Sequence, residues 1–402
     1  MTLHSPRILF VTPSWPLGDS FGGQMRALNV ARALKKVGGV SLLVVGSNAD
    51  NKAARESSAA EFACEPPMHE HAALNRGASS KLRWALDPGY LNLHGVVTSV
   101  ADRERMSRYL HEYDLVWVMN GRTPNILQLW RWPHTHLDVD DVPSTCYRTA
   151  TTPGLLQAVK RRAHWAILRQ RERAYGRRFT TLSVCSEADR RYLGSSRVHV
   201  IPNGFARPAV EPVRNVRAER PLLGFIGLYS HGPNLDGMRW FLRDVWPLVR
   251  AAVPGVRLRM VGKGTDGADR PTDPDVDPLG WVSDPAAEIA TWSAMINPIR
   301  YGGGTRIKIA DAFSRKCPVV STHYGAFGYE VRDGHHLRLA DRPARFADAC
   351  IQLLRDPVAG AALAGNAWQA FLQNWTWEAI TPRVWAAAED CLRRSVRERS
   401  RS

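Results

Sequence analysis

The stretch INPIRYGGGTRIKIADAFSRKCPVVST, residues 296–322, decides how this chain is read. An apolar run, Ala294–Pro298, reads as a strand ended by its proline. Three consecutive glycines follow at 302–304, a helix is expected to begin near Thr305 and carry Ile307 to Phe313, and Pro318–Ser321 reads as the next strand. Strand, glycine loop, helix and strand is one repeat of a parallel α/β sheet. Residues without side chains let backbone amides approach an anion, and the helix N-terminus adds its positive end. Arg306 and Lys308 contribute two full charges beside the loop, with Asp311 one turn further on. A diphosphate next to a ribose would satisfy Gly302, Gly303, Gly304, Thr305, Arg306, Lys308 and Asp311 together. The plainer alternative is a tight turn with solvated basic residues.

The same alternation extends in both directions. Leu222–Ile226 and Leu258–Val261 read as strands, and Met238–Val249, Pro285–Trp292 and Pro343–Leu354 as helices. Near the N-terminus a buried strand, Ile8–Val11, runs into a loop with Gly18, Gly22 and Gly23. A helix marked by Met25, Leu28, Ala31 and Leu34 follows, then a strand over Val40–Val45. Further apolar runs lie at Leu115–Met119, Leu137–Val139, Thr181–Val184 and Val198–Ile201, whereas 49–80 carries no clear period. The proline- and charge-rich ARPAVEPVRNVRAERP, 206–221, reads as a linker. The pattern predicts two doubly wound α/β domains, 1–210 and 218–375, with a C-terminal helix and basic tail over 376–402.

Composition narrows the classes. With 402 residues, 44% of them hydrophobic, the chain can bury two cores and is not a disordered chain. No run approaches the length of apolar residues that crosses a bilayer, and RILFVTPSWP lacks the features of a secretory signal. The cysteines at 64, 146, 185, 317, 350 and 391 form no CxxC pair, so a disulfide scaffold and a cysteine zinc site are not expected, and the reducing cytoplasm is the expected location. The net charge of +16 asks for an anionic partner. Residues 1–215 hold 29 Lys+Arg against 18 Asp+Glu, so the excess sits mainly there and in the Arg-rich tail. Nucleic acid is disfavoured, because no aromatic RNA-binding motif interleaves the charge.

Three further motifs carry alternatives. HTHLDVDDVPS, 134–144, places Asp140 and Asp141 after a strand; a helix cap before Pro143 is one reading, a carboxylate that accepts a hydroxyl proton another. His134, His136, Asp138 and Asp140 alternate as metal ligands on a strand could, although no sheltering second shell is evident and no metal is expected. Gly262-x-Gly264-x-x-Gly267 matches the dinucleotide fingerprint literally, but the DRPTDPDVDP that follows cannot start the helix that fingerprint requires. Finally, LLQAVKRRAHWAILRQRERAYGRRF, 155–179, is a basic helix with a possible apolar stripe of Leu155, Leu156, Val159, Ala163 and Ile167. It either packs on the core or lies on an acidic membrane.

The 296–322 segment, together with FIGLYSHGPNLDGMRWF (225–241), the GW of LGWVSD (279–284) and IPNG (201–204), resembles the group 1 (family 4) retaining glycosyltransferases. Within them it is most similar to an exopolysaccharide-associated branch with a GGGTR-x-K loop. The resemblance implies a GT-B fold, two Rossmann-like domains facing each other across a cleft, with the C-terminal helix crossing back to the first domain. It implies a hexosyl transfer from a nucleoside diphosphate sugar to the hydroxyl of a saccharide or lipid-linked acceptor, with retention. No cofactor or metal is implied, the nucleotide sugar being substrate. Gly22 and Gly23 would reach the donor from the first domain, and Asp140 and Asp141 would serve the acceptor side. The family's acidic pair would fall on Gly303 and Asp311, so the first acid is missing and Asp311 is left to hold the ribose. Arg306 and Lys308 replace the usual cations after the first strand of domain 2. Rival readings are a GT-B-like epimerase or hydrolase and a non-catalytic binding subunit. An acceptor carried on lipid, with the basic helix and tail, implies reversible binding to the inner face of the cytoplasmic membrane.

Overall fold

A computed structural model describes the chain except residues 1–4, 18–21, 73–77, 88, 92–94, 150–153, 218, 268–269 and 400–402, and except the side chains of 78–81, 146, 149 and 399. Gly18 and the end of the basic tail therefore lie outside the described residues. The chain divides into two compact units, one of Met1–Arg148, Thr152–Asn203 and Ile380–Ser402 and one centred on Gly204–Ala379.

In the first unit the strands are β1 (Arg7–Thr12), β2 (Gly39–Val44), β3 (Ala63–Cys64), β4 (His71–Ala72), β5 (Val96–Val97), β6 (Leu115–Met119), β7 (Trp132–Asp140), β8 (Phe179–Val184) and β9 (Val198–Val200). Among the described residues the main sheet has the order β3-β2-β1-β6-β7-β8-β9, all parallel, with Ile8 opposite Val40 on one side and Leu115 on the other. β1 and β6 are continuous apolar runs because helices cover both faces of a parallel sheet. Leu9, Val11, Val116, Val118, Leu137 and Val139 anchor its core. β4 and β5 form a separate antiparallel pair near the region without period. β7 is longer than the apolar run at 137–139 suggests, since Thr135, His136 and Asp138 are polar yet fully buried. The C-terminal helix, Trp377–Arg399, joins this unit: Trp385 Nε1 donates to Ala33 O at 2.8 Å, and His199 Nε2 meets Asp390 Oδ2 at 3.1 Å.

The strands of the second unit are β10 (Leu222–Ile226), β11 (Arg257–Val261), β12 (Val276–Gly280), β13 (Ala294–Asn297), β14 (Val319–Ser321) and β15 (Arg338–Leu339). They pair in parallel in the order β12-β11-β10-β13-β14-β15. The helix expected over 238–249 starts earlier, at Gly232, and passes through a π-helical turn, Phe241–Val245, that turns Phe241, Val245 and Trp246 all into the core. The 206–221 segment is irregular, as a linker would be, but it is pinned: Asn215 N donates to Ala290 O at 2.8 Å and Arg214 to Ile289 O at 2.7 Å. No helix among the described residues is long and apolar enough to cross a membrane.

The β10–β13 pairing depends on Gly224, because a Cβ there would fall inside the Trp292 indole, which is fully buried. Gly224→Ala is therefore expected to cost at least about 1–3 kcal/mol, the range for overpacking a core. Chemical denaturation checks it: an unchanged midpoint would show that Trp292 can move aside.

Candidate functional site

In the second unit the site begins beyond the carboxyl ends of β10 and β13, which run parallel from Leu223 opposite Ala294. The loop after β13 turns through Gly302 (φ 126°) and Gly304 (φ 66°), and Tyr324 Oη donates to Gly302 O. The helix Ile307–Ser314 begins two residues later than expected, because Arg306 is extended (φ −91°, ψ 99°) and takes the N-cap position. Thr305, buried at 9% exposure, therefore belongs to the loop. The Arg306 guanidinium folds back onto Gly303 O and Tyr301 O. Lys308 Nζ donates to Asn234 Oδ1 at 2.9 Å and lies 4.2 Å from the centre of the Phe225 ring.

Both cations are partly buried, and among the described residues their hydrogen-bond partners are neutral oxygens. Burial, and then the neighbouring Arg306, push the Lys308 ammonium down to about 7. His231, at the start of the Gly232–Trp240 helix, is pushed down by burial and by the same two cations. Lys308 and His231 thus resist charging in one recess beside Arg306, and an anion placed there would relieve both. The glycines make room: a Cβ on Gly227 would lie 3.0 Å from Lys308 Nζ, and one on Gly302 would lie 2.8 Å from Arg306 Nη2.

Asp311 stands apart from this recess. It is 7% exposed, its Oδ1 accepts from Arg315 Nε at 2.6 Å, and burial raises its carboxyl against the pull of Arg315. Any contact with a ribose would fall to its second oxygen. Asn234 and His231 are the residues the sequence reading missed. Both lie in the quoted stretch 225–241, but a single amide and a single imidazole form no pattern there.

In the first unit Gly22 and Gly23 open the helix Gly22–Leu34 rather than forming a loop before it, and a Cβ on Gly23 would meet nothing within 4 Å. Arg26 on the same helix is fully buried. It clasps Asp138 at 3.0 and 2.8 Å and donates to Ile201 O, Pro202 O and Asn203 Oδ1. Burial opposes its charge, and Asp138 foremost, together with Cys185 and Asp140, more than offsets that. From Asp138 the network runs on through Ser183 Oγ (2.9 Å) to His136 Nε2 (2.9 Å), whose Nδ1 meets Thr181 Oγ1 at 2.8 Å. His136 stacks on Trp117 and is held well below its usual range, chiefly by burial. Of the alternating His and Asp of this strand, both His136 nitrogens and the Asp138 carboxylate have protein partners.

Asp140 ends β7 in the left-handed region (φ 58°) and accepts from Cys185 Sγ at 2.7 Å and Asn203 Nδ2 at 3.2 Å. Asp140, Asp141 and Cys185 bring their ligand atoms within 4.8 Å of one another. Burial holds the thiol protonated, and the Arg26 guanidinium lies 3.8 Å from Asp140. Asp140 and Asp141 line a cavity of about 270 Å³ with Asn120, Trp130, Glu172 and Arg178. Asn120, at the end of the neighbouring β6, is also left-handed (φ 67°), and such strain collects at functional sites. Sequence reading found the two carboxylates but not Asn120, Cys185 or Asn203.

Residues 220–356 match the family of group 1 glycosyl transferases, so the second unit carries a group 1 glycosyltransferase domain. An uncharacterized 44.6 kDa protein in the cps region of Klebsiella pneumoniae is 26% identical over 161 residues, 38% of this chain and 42% of that one, so the chain spans less than half of that curated relative. Among solved structures, Alr3699/HepE from Anabaena, in complex with UDP and glucose, is similar with a TM-score of 0.61 at 15% identity, over 95% of this chain and 98% of that one. Sucrose-phosphate synthase from Thermosynechococcus elongatus gives a TM-score of 0.66 at 15% identity over 95% and 98%. WaaG, a glycosyltransferase involved in lipopolysaccharide biosynthesis, gives 0.62 at 15% identity over 94% and 98%. The fold is thus α/β of the GT-B type, with two Rossmann-like domains.

Arg26→Leu would leave the fully buried Asp138 without its cation. A loss of about 3–5 kcal/mol is expected, the scale for breaking a buried pair. Urea unfolding measures it, and a loss below about 1 kcal/mol, the worth of an exposed pair, would show that Asp138 finds water or another partner.

Proposed function

We propose that this protein is a retaining glycosyltransferase that moves a hexosyl group from a nucleoside diphosphate sugar to a hydroxyl of a saccharide or lipid-linked acceptor, in the cytoplasm, for assembly of a bacterial surface polysaccharide. The observation that carries this reading is the recess of Arg306, Lys308 and His231, where cations without carboxylate partners meet glycine strand ends and the start of the Ile307–Ser314 helix. The group 1 domain match and the UDP bound by the Anabaena protein support a nucleoside diphosphate as the anion.

In this mechanism the bond between the anomeric carbon and the diphosphate oxygen breaks, and the acceptor oxygen bonds to that carbon on the same face. The acceptor proton passes to the departing phosphate oxygen. Arg306, Lys308 and the amides of Gly302, Gly303 and Gly304 stabilise the charge that collects on the diphosphate, so no metal is needed. Gly303, where the family's first acid would stand, leaves the sugar itself to be held by other groups. Gly22 and Gly23 keep the start of their helix bare for close approach of the donor. Asp140 and Asp141, lining their own cavity, orient acceptor hydroxyls.

Three outcomes are expected. UDP at about 100 times its dissociation constant stabilises the protein by about 2.7 kcal/mol. Lys308→Ala lowers turnover of the preferred UDP-sugar about 100-fold or more, and EDTA leaves wild-type turnover intact. Stabilisation by UDP without release of UDP from any sugar of a panel would identify a binding subunit instead, and loss of turnover in EDTA, restored by magnesium or manganese, would overturn the metal-free step.

A pH dependence follows from Lys308. Its free-state value of about 7 is raised when a diphosphate arrives, so above pH 7 binding must take up a proton. UDP affinity is expected to fall as pH rises from about 7.5 to 9, by up to about tenfold per unit. Titration calorimetry in buffers of different ionisation heat should show the proton uptake in wild type and not in Lys308→Met. Equal uptake in both proteins would place the titrating group elsewhere.

A further inference from the structure

The helix Leu155–Arg173 is built the wrong way round for a helix that packs on a core. A surface helix ordinarily buries its apolar stripe and shows its charges. Here Leu155, Leu156 and Val159 are 84, 68 and 56% exposed. At 100° per residue they fall within one third of the helix circumference, and the exposed Ala163 and Ala166 continue the same stripe. The side that holds the helix in place is polar and aromatic instead. Trp165 Nε1 donates to Tyr192 Oη at 3.0 Å, Arg169 stacks 4.2 Å from the Tyr192 ring, and Arg171 donates to Asp87 O and Tyr90 O, both at 2.9 Å. Of the two readings the sequence allowed for this helix, core packing therefore fails for its first two turns.

Charge completes the pattern. Lys160 and Arg162, both exposed, flank the stripe on its two sides. The single acid of the helix, Glu172, points inward and accepts from Ser144. An exposed aliphatic stripe between long cations, with no carboxylate on its face, matches the boundary between lipid headgroups and acyl chains. The aliphatic residues enter that boundary while the cations reach up to anionic headgroups.

We propose that the outward face of the Leu155–Arg173 helix docks this protein, in the plane of the surface, on an anionic lipid bilayer. A protein partner fits the same face poorly. Stable protein interfaces bury about 1,200–2,000 Å² in total, whereas three aliphatic side chains and two alanines offer a narrow strip without the aromatic anchors such interfaces use. A bilayer needs no complementary shape. The inference does not rest on the reaction proposed above, since UDP binding is read separately.

The experiment is flotation of the full chain with phosphatidylcholine vesicles, with and without phosphatidylglycerol, at low and high salt. Binding is expected only with phosphatidylglycerol and is weakened by salt. The triple variant Leu155→Ser, Leu156→Ser, Val159→Ser should lower partitioning at least about 100-fold. Lys160→Gln and Arg162→Gln together should lower it about 30-fold. Neither variant should alter the melting temperature or UDP binding, because these side chains hold nothing in the fold. Absence of binding to phosphatidylglycerol vesicles at low salt overturns the proposal. Undiminished binding of the serine variant overturns it by placing the contact elsewhere. Self-association of the wild type that the serine variant abolishes, without vesicle binding, would assign the face to a second copy of the chain.

Discussion

The pairing of β10 with β13 is the constraint from which the candidate donor site follows. From β10 the chain steps outward to β11 and β12, then returns to lay β13 on the opposite side of β10. The loops after these two neighbouring strands must therefore part, and parting loops at the carboxyl ends of parallel strands leave a crevice. Gly224 lets the strands close over Trp292, Gly227 keeps the end of β10 bare, and the helix after β13 brings Lys308 back to Asn234 on the helix after β10. The first unit uses the same device with β1 and β6. There the strained Asn120 and Asp140 mark the ends of β6 and β7.

The two units treat a sheltered cation in opposite ways. Arg26 is surrounded by acceptors, with a bidentate carboxylate and three further oxygens, and ties its helix to β7 and to the 201–203 segment. That is a stabilising arrangement. Among the described residues Lys308 and Arg306 have only neutral oxygens as hydrogen-bond partners, and they repel one another. This costs stability in the free protein and becomes favourable only when an anion arrives. The contrast separates a structural charge from a functional one more clearly than position in a motif does.

The Leu155–Arg173 helix shows a third use of exposure. Its charge count alone is compatible with a solvated helix, a core helix or a lipid-facing helix. The direction of its apolar stripe separates these, and direction is a property of the folded unit.

Much of the architecture was legible without coordinates. Continuous apolar runs such as Leu115–Met119 and Leu222–Ile226 can only be strands buried on both faces, and the glycine loop before Ile307–Phe313 marks a strand-to-helix junction with two cations beside it. Short edge strands such as β3 and β15 escaped, because two residues carry no period, and the polar half of β7 escaped because its residues are buried by hydrogen bonding and not by apolarity. The sequence by itself determined the alternation of strands and helices, the breaks between them and the presence of Arg306, Lys308, Asp140 and Asp141 near strand ends, since these depend on neighbours a few residues away. Only the tertiary structure decided that Arg26 is spent on Asp138, that Lys308 answers to Asn234 and that Leu155 faces outward, because partners 112 and 74 residues apart, and the direction in which a helix face points, are set by how the sheet stacks its strands.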